Sequence, residues 1–145
     1  LEAAHGAHVV LTGGPSELEK QYGEVLATGS NATNLVGRSS LKQLAALIAA
    51  ADLLICPDSG PAHMATALGT SVVGLYATSN PERTGPYNSQ KFTINRYPDA
   101  IRRYLGKNVA DVSWGQRVRN PDAMSLITID DVIEKIDIFF DDREF

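Results

Sequence analysis

The chain has 145 residues, 43% of them hydrophobic and 21% charged, with a formal net charge of −4. That is the size and composition of one ordinary globular domain with a sizeable core, and its acidic balance argues against nucleic-acid binding. No apolar run approaches the roughly 18 residues that cross a bilayer, no signal peptide is visible, and the lone Cys56 lies in an apolar run, as a buried, reduced thiol of a cytosolic protein would.

The chain begins at Leu1 without a methionine and enters a strand within a few residues, as expected of a piece of something longer. His5 and His8, at this start, read as incidental. Ala7 to Thr12 is an apolar, β-branched run that ends in Gly13-Gly14-Pro15, a strand giving way to a turn. A helix follows from Ser16, which stands at capping-box spacing from Glu19, with Leu18, Tyr22, Val25 and Leu26 on its apolar side and Gly29 closing it. Thr33 to Gly37 reads as a second short strand, and Ser40 to Gln43 as a second capping box. The helix Leu41 to Ala51 that it opens is apolar nearly all round and should be well covered.

Leu53 to Pro57 is a buried-looking strand that turns sharply into a short helix ended by Gly69, and its start reads Asp58-Ser59-Gly60-Pro61-Ala62-His63. A helix start carries unpaired N–H groups and the positive end of the helix dipole, and so attracts anions. Asp58 or Ser59 can serve as N-cap, Gly60 lets a ligand approach the backbone, Pro61 gives up an N–H that was unpaired anyway, and His63 can add a donor. The plainer alternative is that Asp58 and Ser59 merely cap the helix while His63 packs on its flank. Ser71 to Ala77 is another near-continuous apolar strand. Strands without polar alternation, separated by helices, predict a doubly wound, Rossmann-like parallel sheet whose ligands bind beyond the strands' carboxyl ends. Gly13-Gly14, Arg38-Ser39, Asp58-Ser59 and Thr78-Ser79 all fall at that edge.

Thr78 to Tyr87 is a loop of turn formers with no helical or strand period, Lys91 to Arg96 a possible last strand and Ala100 to Leu105 a short helix. Lys91 to Arg119 holds seven of the thirteen Lys and Arg residues against Asp99 and Asp111, which reads as a solvated basic face or as a contact for an anionic acceptor or membrane surface. Thr128 to Asp131 caps a terminal amphipathic helix with Val132, Ile133, Ile136, Phe139 and Phe140 on its apolar side, before the charged tail Asp141 to Phe145.

The first turn lacks G-x-G-x-x-G and the second strand ends at Gly37-Arg38 without an acid, which sets dinucleotide oxidoreductases aside. There is no Walker loop, no G-x-S-x-G and no metal-ligand spacing among three histidines and one cysteine. What remains is a diphosphate or nucleotide cradle without an evident catalytic base. A carboxylate beside a diphosphate repels it, so Asp58 should turn to neutral sugar hydroxyls or cap the helix while Ser59, Gly60 and His63 face the phosphates. Glu17 could accept both hydroxyls of a ribose, or be a first-turn acid favoured by the dipole.

The stretch Asp58 to Gly69, followed by Val73-Gly74-Leu75-Tyr76 and then Asn80-Pro81-x-Arg83-Thr84-Gly85-Pro86-Tyr87, resembles glycosyltransferase family 9, the ADP-heptose:lipopolysaccharide heptosyltransferases. The Gly13-Gly14-Pro15-Ser16-Glu17 turn and the ending Ala123 to Val132 resemble it too, so the likeness runs through nearly all of the chain. The resemblance implies a GT-B enzyme of two Rossmann-like domains, of which residues 1–145 would be the carboxyl-terminal, donor-binding one. By position, Asp58, Ser59, Gly60 and His63 would hold the sugar and diphosphate, Glu17 the ribose, the Arg38-Ser39 backbone the adenine, and Arg83 and Thr84 further loop contacts. The implied reaction is inverting transfer of heptose from ADP-heptose to the lipopolysaccharide inner core, without a required metal. The general base and the lipid-linked acceptor site would belong to the amino-terminal domain, so this chain alone should be inactive. The implied setting is cytoplasmic, at the inner face of the inner membrane.

Many members carry several cysteines between the Gly-Pro-Tyr loop and the last helix, where this chain is basic and has none. Two other readings stay open. A GT-B-like sugar-nucleotide epimerase would place a second glycine after Ser-Gly and an acid in the following helix, against Pro61 and the acid-free run Ala62 to Leu68. A non-catalytic nucleotide-binding domain would keep the cradle alone.

Overall fold

The structure, a computed structural model, describes residues 1–143; the last two residues of the charged tail lie outside the described residues. In chain order its regular elements are α1 (Glu2–His5), β1 (Val10–Leu11), α2 (Glu17–Ala27), β2 (Thr33–Asn34), α3 (Leu41–Ala50), β3 (Leu53–Pro57) and α4 (Gly60–Leu68). They continue as β4 (Ser71–Tyr76), α5 (Pro81–Thr84), β5 (Ile94–Asn95), α6 (Tyr97–Leu105) and α7 (Ile129–Asp142), with 3-10 turns over Tyr87–Phe92, Val109–Asp111 and Ala123–Leu126. The strands form two parallel groups, β1–β2 and β3–β4–β5, joined through helices in the Rossmann-like α/β manner. The chain divides into two compact units, Leu1–Leu47 and the remainder from Ile48.

In the first unit, the strand pairing reaches further than the two assigned residues. Thr33, Leu35 and Gly37 donate in turn to the carbonyls of Val9, Leu11 and Gly13, so the expected strand Thr33 to Gly37 is hydrogen-bonded along its whole length. Only half of the capping box expected at Ser16 is formed: its hydroxyl accepts from Glu19 N at 3.3 Å, while the Glu19 carboxylate accepts from Ser16 Oγ and the Gly14 N–H and not from the Ser16 N–H. The face of α2 is not the expected one. Leu18, Tyr22, Val25 and Leu26 are 58, 60, 69 and 64% exposed, and Gly23 is the buried residue of this helix. A Cβ on Gly23 would stand 2.8 Å from Val36 Cγ2 and 2.9 Å from Asn34 Oδ1, so helix and strand approach through the glycine. Helix α3 also differs: its reciprocal Ser40–Gln43 box is formed, yet Ile48 is its only buried residue and Leu41 is 72% exposed.

The second unit is built on β4, which lies between β3 and β5, with Leu53 to Pro57 opposite Ser71 to Leu75 and Leu75 opposite Ile94. Val72, Val73, Tyr76 and Ala77 are fully buried, as a central parallel strand covered on both faces requires. On one side Val73, Phe92, Ile94, Ile136 and Phe139 pack together, with Phe92 and Phe139 edge to face at 5.6 Å. Val132 and Phe140 join this cluster as expected, but Ile133 is 48% exposed, because it lies one position round the helix from the covered stripe. A second cluster, Tyr97, Ala100, Ile101, Val118 and Ala123, gathers around α6. The last strand is shorter than Lys91 to Arg96: the 3-10 turn takes its first residues, and Arg96 N donates to Tyr76 O at 2.7 Å just beyond β5.

The basic stretch is largely paired within the fold. Lys91 bonds Asp142, Arg102 Nη1 meets Asp99 at 3.3 Å, and Arg96 grips Asp131 through Nε at 3.2 Å and Nη2 at 2.6 Å. Asp131 also closes the α7 capping box by accepting from Thr128 N at 2.9 Å. Arg96 first and the Thr128 backbone second hold its carboxyl down at about 2, below the ordinary 3.8. A depressed carboxylate stabilises the fold above its unfolded pKa and loses that contribution as pH falls through the folded one. Between pH 4 and pH 2 the protein is therefore expected to lose more stability than Asp131→Asn loses, as acid titration followed by circular dichroism would show; equal losses would remove Asp131 from the acid response.

Candidate functional site

The β3–α4 turn is organised by the carboxylate of Asp58, 8% exposed. Its Oδ2 accepts from Ser79 Oγ at 2.7 Å, Thr84 Oγ1 at 3.2 Å and Arg117 Nη2 at 3.0 Å. Its Oδ1 faces His63 Nε2 at 3.9 Å, beyond hydrogen-bonding reach. The sequence expects Asp58 to turn to sugar hydroxyls or to cap the helix; it does not cap α4, and the two hydroxyls and the guanidinium on its Oδ2 belong to the protein itself.

Ser59 is the N-cap residue by backbone conformation, but its Oγ donates to Pro57 O at 3.0 Å and caps nothing. The first turn of α4 is thus left without a side-chain acceptor, which keeps its positive end open to an anion. A Cβ on Gly60 would meet nothing within 4 Å, so the approach to this turn is clear. His63, one turn in, is 58% exposed and does not pack on the helix flank. Gly69, left-handed at φ 80°, ends the helix, and Thr70 Oγ1 donates to Ile48 O at 2.7 Å.

Below the turn, burial pushes the Cys56 thiol up to about 11; the nearby Asp58 charge adds to this and a bond with Ser59 opposes it. A thiol so placed is protonated and inert, as the apolar run around it implied. Burial likewise raises the Tyr76 phenol, whose hydroxyl donates to Thr84 O at 3.2 Å.

The stretch Thr78 to Tyr87 contains one helical turn, α5, where no period was expected. Asn80 caps it by accepting from Glu82 N at 3.0 Å, and Pro81 occupies its first position. This turn aims Thr84 at Asp58. It also needs Gly85, because a Cβ there would stand 2.4 Å from Pro81 O. Arg83 is exposed on the same turn, its guanidinium carbon 3.9 Å from where a Cβ of Gly115 would be. Beside Asn80 lies a cavity of about 320 Å³ walled by Tyr97, Val109, Val112 and Trp114.

The other sequence-predicted residues belong to the first unit. Glu17 is exposed on the first turn of α2 and pairs with Lys20 at 2.8 Å, which lowers its pKa through that hydrogen bond. Its neighbour Glu19 reaches back to the Gly14 N–H, so the Gly13-Gly14 turn is occupied by a side chain of the protein. Arg38 is exposed and Ser39 half-buried, directly after Gly37 at φ 69°. Sequence reasoning did not find Arg117. It stands 59 residues from Asp58, and no local pattern marks it.

The profile of glycosyltransferase family 9 (heptosyltransferase) matches residues 2–104. The chain belongs to this family. It is 37% identical over 131 residues to the lipopolysaccharide core heptosyltransferase OpsX of Haemophilus influenzae, covering 89% of this chain and 38% of that protein. To lipopolysaccharide heptosyltransferase 3 of Escherichia coli it is 31% identical over 137 residues, 92% of this chain and 38% of that protein. Among solved structures, a family 9 glycosyl transferase from Veillonella parvula matches with a TM-score of 0.69 and 26% identity, over 94% of this chain and 37% of that one. The E. coli ADP-heptose lps heptosyltransferase II matches with a TM-score of 0.64 and 26% identity, over 95% and 38%. The family 9 chain described here thus spans about 38% of the curated relatives' length. Arg117 and the segment that carries it lie beyond the stretch matched by the family profile.

Proposed function

We propose that this chain is the carboxyl-terminal, donor-binding half of a heptosyltransferase. It holds ADP-heptose, and the whole protein transfers the heptose to the lipopolysaccharide inner core. The observation that carries the reading is the open start of α4. The Ser59 hydroxyl is turned away from it, Gly60 leaves space before it, and His63 is exposed beside it. A diphosphate there would take the first-turn N–H groups and the dipole, with His63 as a side-chain donor. In this reading Asp58 Oδ1 takes sugar hydroxyls, and Arg83 and Thr84 flank the donor. Transfer would form a bond from an acceptor hydroxyl oxygen to the heptose anomeric carbon and break that carbon's bond to the diphosphate. ADP leaves with the electron pair, and the acceptor proton goes to a base outside this chain. The positive groups around the diphosphate take the place of a metal.

No described helix is long and apolar enough to cross a membrane. The reaction is placed in the cytoplasm, where the sugar nucleotide is available, with contact at the inner face of the membrane that bears the lipid acceptor.

His63→Ala is expected to weaken ADP binding by about 1 to 3 kcal/mol, the loss of a hydrogen bond to a charged group, with little change in melting temperature. Unchanged affinity together with a lowered melting temperature would return His63 to a packing role and sink the reading. Gly60→Ala separates fold from site in the same assay. With open space for its Cβ, it should be neutral or stabilise the helix by up to about 1 kcal/mol. Calorimetric titration should nevertheless show ADP affinity down about tenfold, since the methyl group stands where the diphosphate approaches.

A further inference from the structure

A diphosphate at the start of α4 would lie within a residue or two of the Asp58 carboxylate, and like charges repel most strongly where burial lowers the local dielectric. The Asp58 carboxylate is 8% exposed. Ser79 and Thr84 satisfy its lone pairs as neutral hydroxyls and leave its charge in place. Arg117, at 3.0 Å, brings an opposite charge. Of the basic segment's other members, Lys91, Arg96 and Arg102 are committed to Asp142, Asp131 and Asp99.

We propose that Arg117 is a positioning residue of the donor site, whose guanidinium cancels the Asp58 charge and so allows the start of α4 to hold a diphosphate. The proposal rests on the donor-binding reading above. The main chain delivers Arg117 from fixed points on both sides: Tyr97 Oη donates to Gln116 O at 2.7 Å, and Val118 N donates to Thr78 O at 2.9 Å. Tyr97 and Val118 are themselves buried in the α6 cluster. The guanidinium therefore reaches the carboxylate as part of the folded framework, before any ligand arrives. Asp58 then meets the ligand as half of a neutral pair, its Oδ2 saturated and its Oδ1 turned toward His63.

The test titrates the whole protein with ADP and, separately, with uncharged adenosine, and records melting temperatures alongside. Arg117→Gln should weaken ADP about tenfold, the order of one unscreened unit charge at the edge of a site, and leave adenosine within about twofold. Arg117→Lys, which keeps the charge, should retain ADP binding. The double variant Arg117→Gln with Asp58→Asn should regain it, because the charge to be cancelled is gone. If the unaltered protein fails to bind ADP, the donor-binding reading falls and takes this proposal with it. If the unaltered protein binds ADP, three results overturn the proposal alone: Arg117→Gln binding ADP equally well, adenosine falling in parallel with ADP, or the double variant staying weak.

Discussion

Replacing Asp58 by alanine is expected to destabilise the fold by about 2 to 4 kcal/mol, since the variant loses the acceptor for three hydrogen-bond donors at once. Most of the cost falls on the Ser79 hydroxyl, which is 2% exposed, whereas the half-buried Thr84 hydroxyl keeps Asn80 O as an acceptor at 3.3 Å. Arg117 contributes less, its side chain being 47% exposed and able to solvate its charge. Asp58→Asn keeps an acceptor oxygen and should cost about half as much. Urea denaturation of the two variants beside the parent protein measures both. An alanine variant within about 0.5 kcal/mol of the parent would mean that solvent already serves the three donors.

Phe139→Ala should be the most damaging change in the core, at about 3 to 5 kcal/mol. The ring is 1% exposed, meets Phe92 edge to face at 5.6 Å and Phe140 at 5.2 Å, and fastens α7 to the cluster that lines β4 and β5. Its loss should lower the urea midpoint with no specific effect on the start of α4, which packs elsewhere. A variant that kept its midpoint and lost ADP affinity would contradict the placement of α7 as a purely structural element.

The parts legible in the sequence were those decided by neighbours in the chain. Ser16 with Glu19, Ser40 with Gln43 and Thr128 with Asp131 each mark a helix start through bonds three residues long, and all three are formed. The grouping of Asp58, Ser59, Gly60 and His63 at one helix start is local in the same sense. The signals for α5, an Asn cap followed by proline, were present in Asn80-Pro81, but a four-residue helix is too short to show a period. Periodicity says which residues share a face and nothing about whether that face is covered. So the apolar stripe of α2 faces outward, and its close approach to β2 is made by Gly23. The hub around Asp58 was hidden for a different reason. Its partners come from 21, 26 and 59 residues away, and only the fold of the segment after α6 brings Arg117 to it.

The outward stripe of Leu18, Tyr22, Val25 and Leu26 also governs how concentrated solutions of the chain behave. Two stripes that meet exclude water from both, an attraction that strengthens on warming because it is entropic near room temperature. A net charge of −4 supplies the opposing repulsion, and at 0.1 M salt that repulsion reaches only about 10 Å. Light scattering should therefore show a second virial coefficient that falls with added salt and with temperature. Dilute buffer and cold should keep the chain monodisperse.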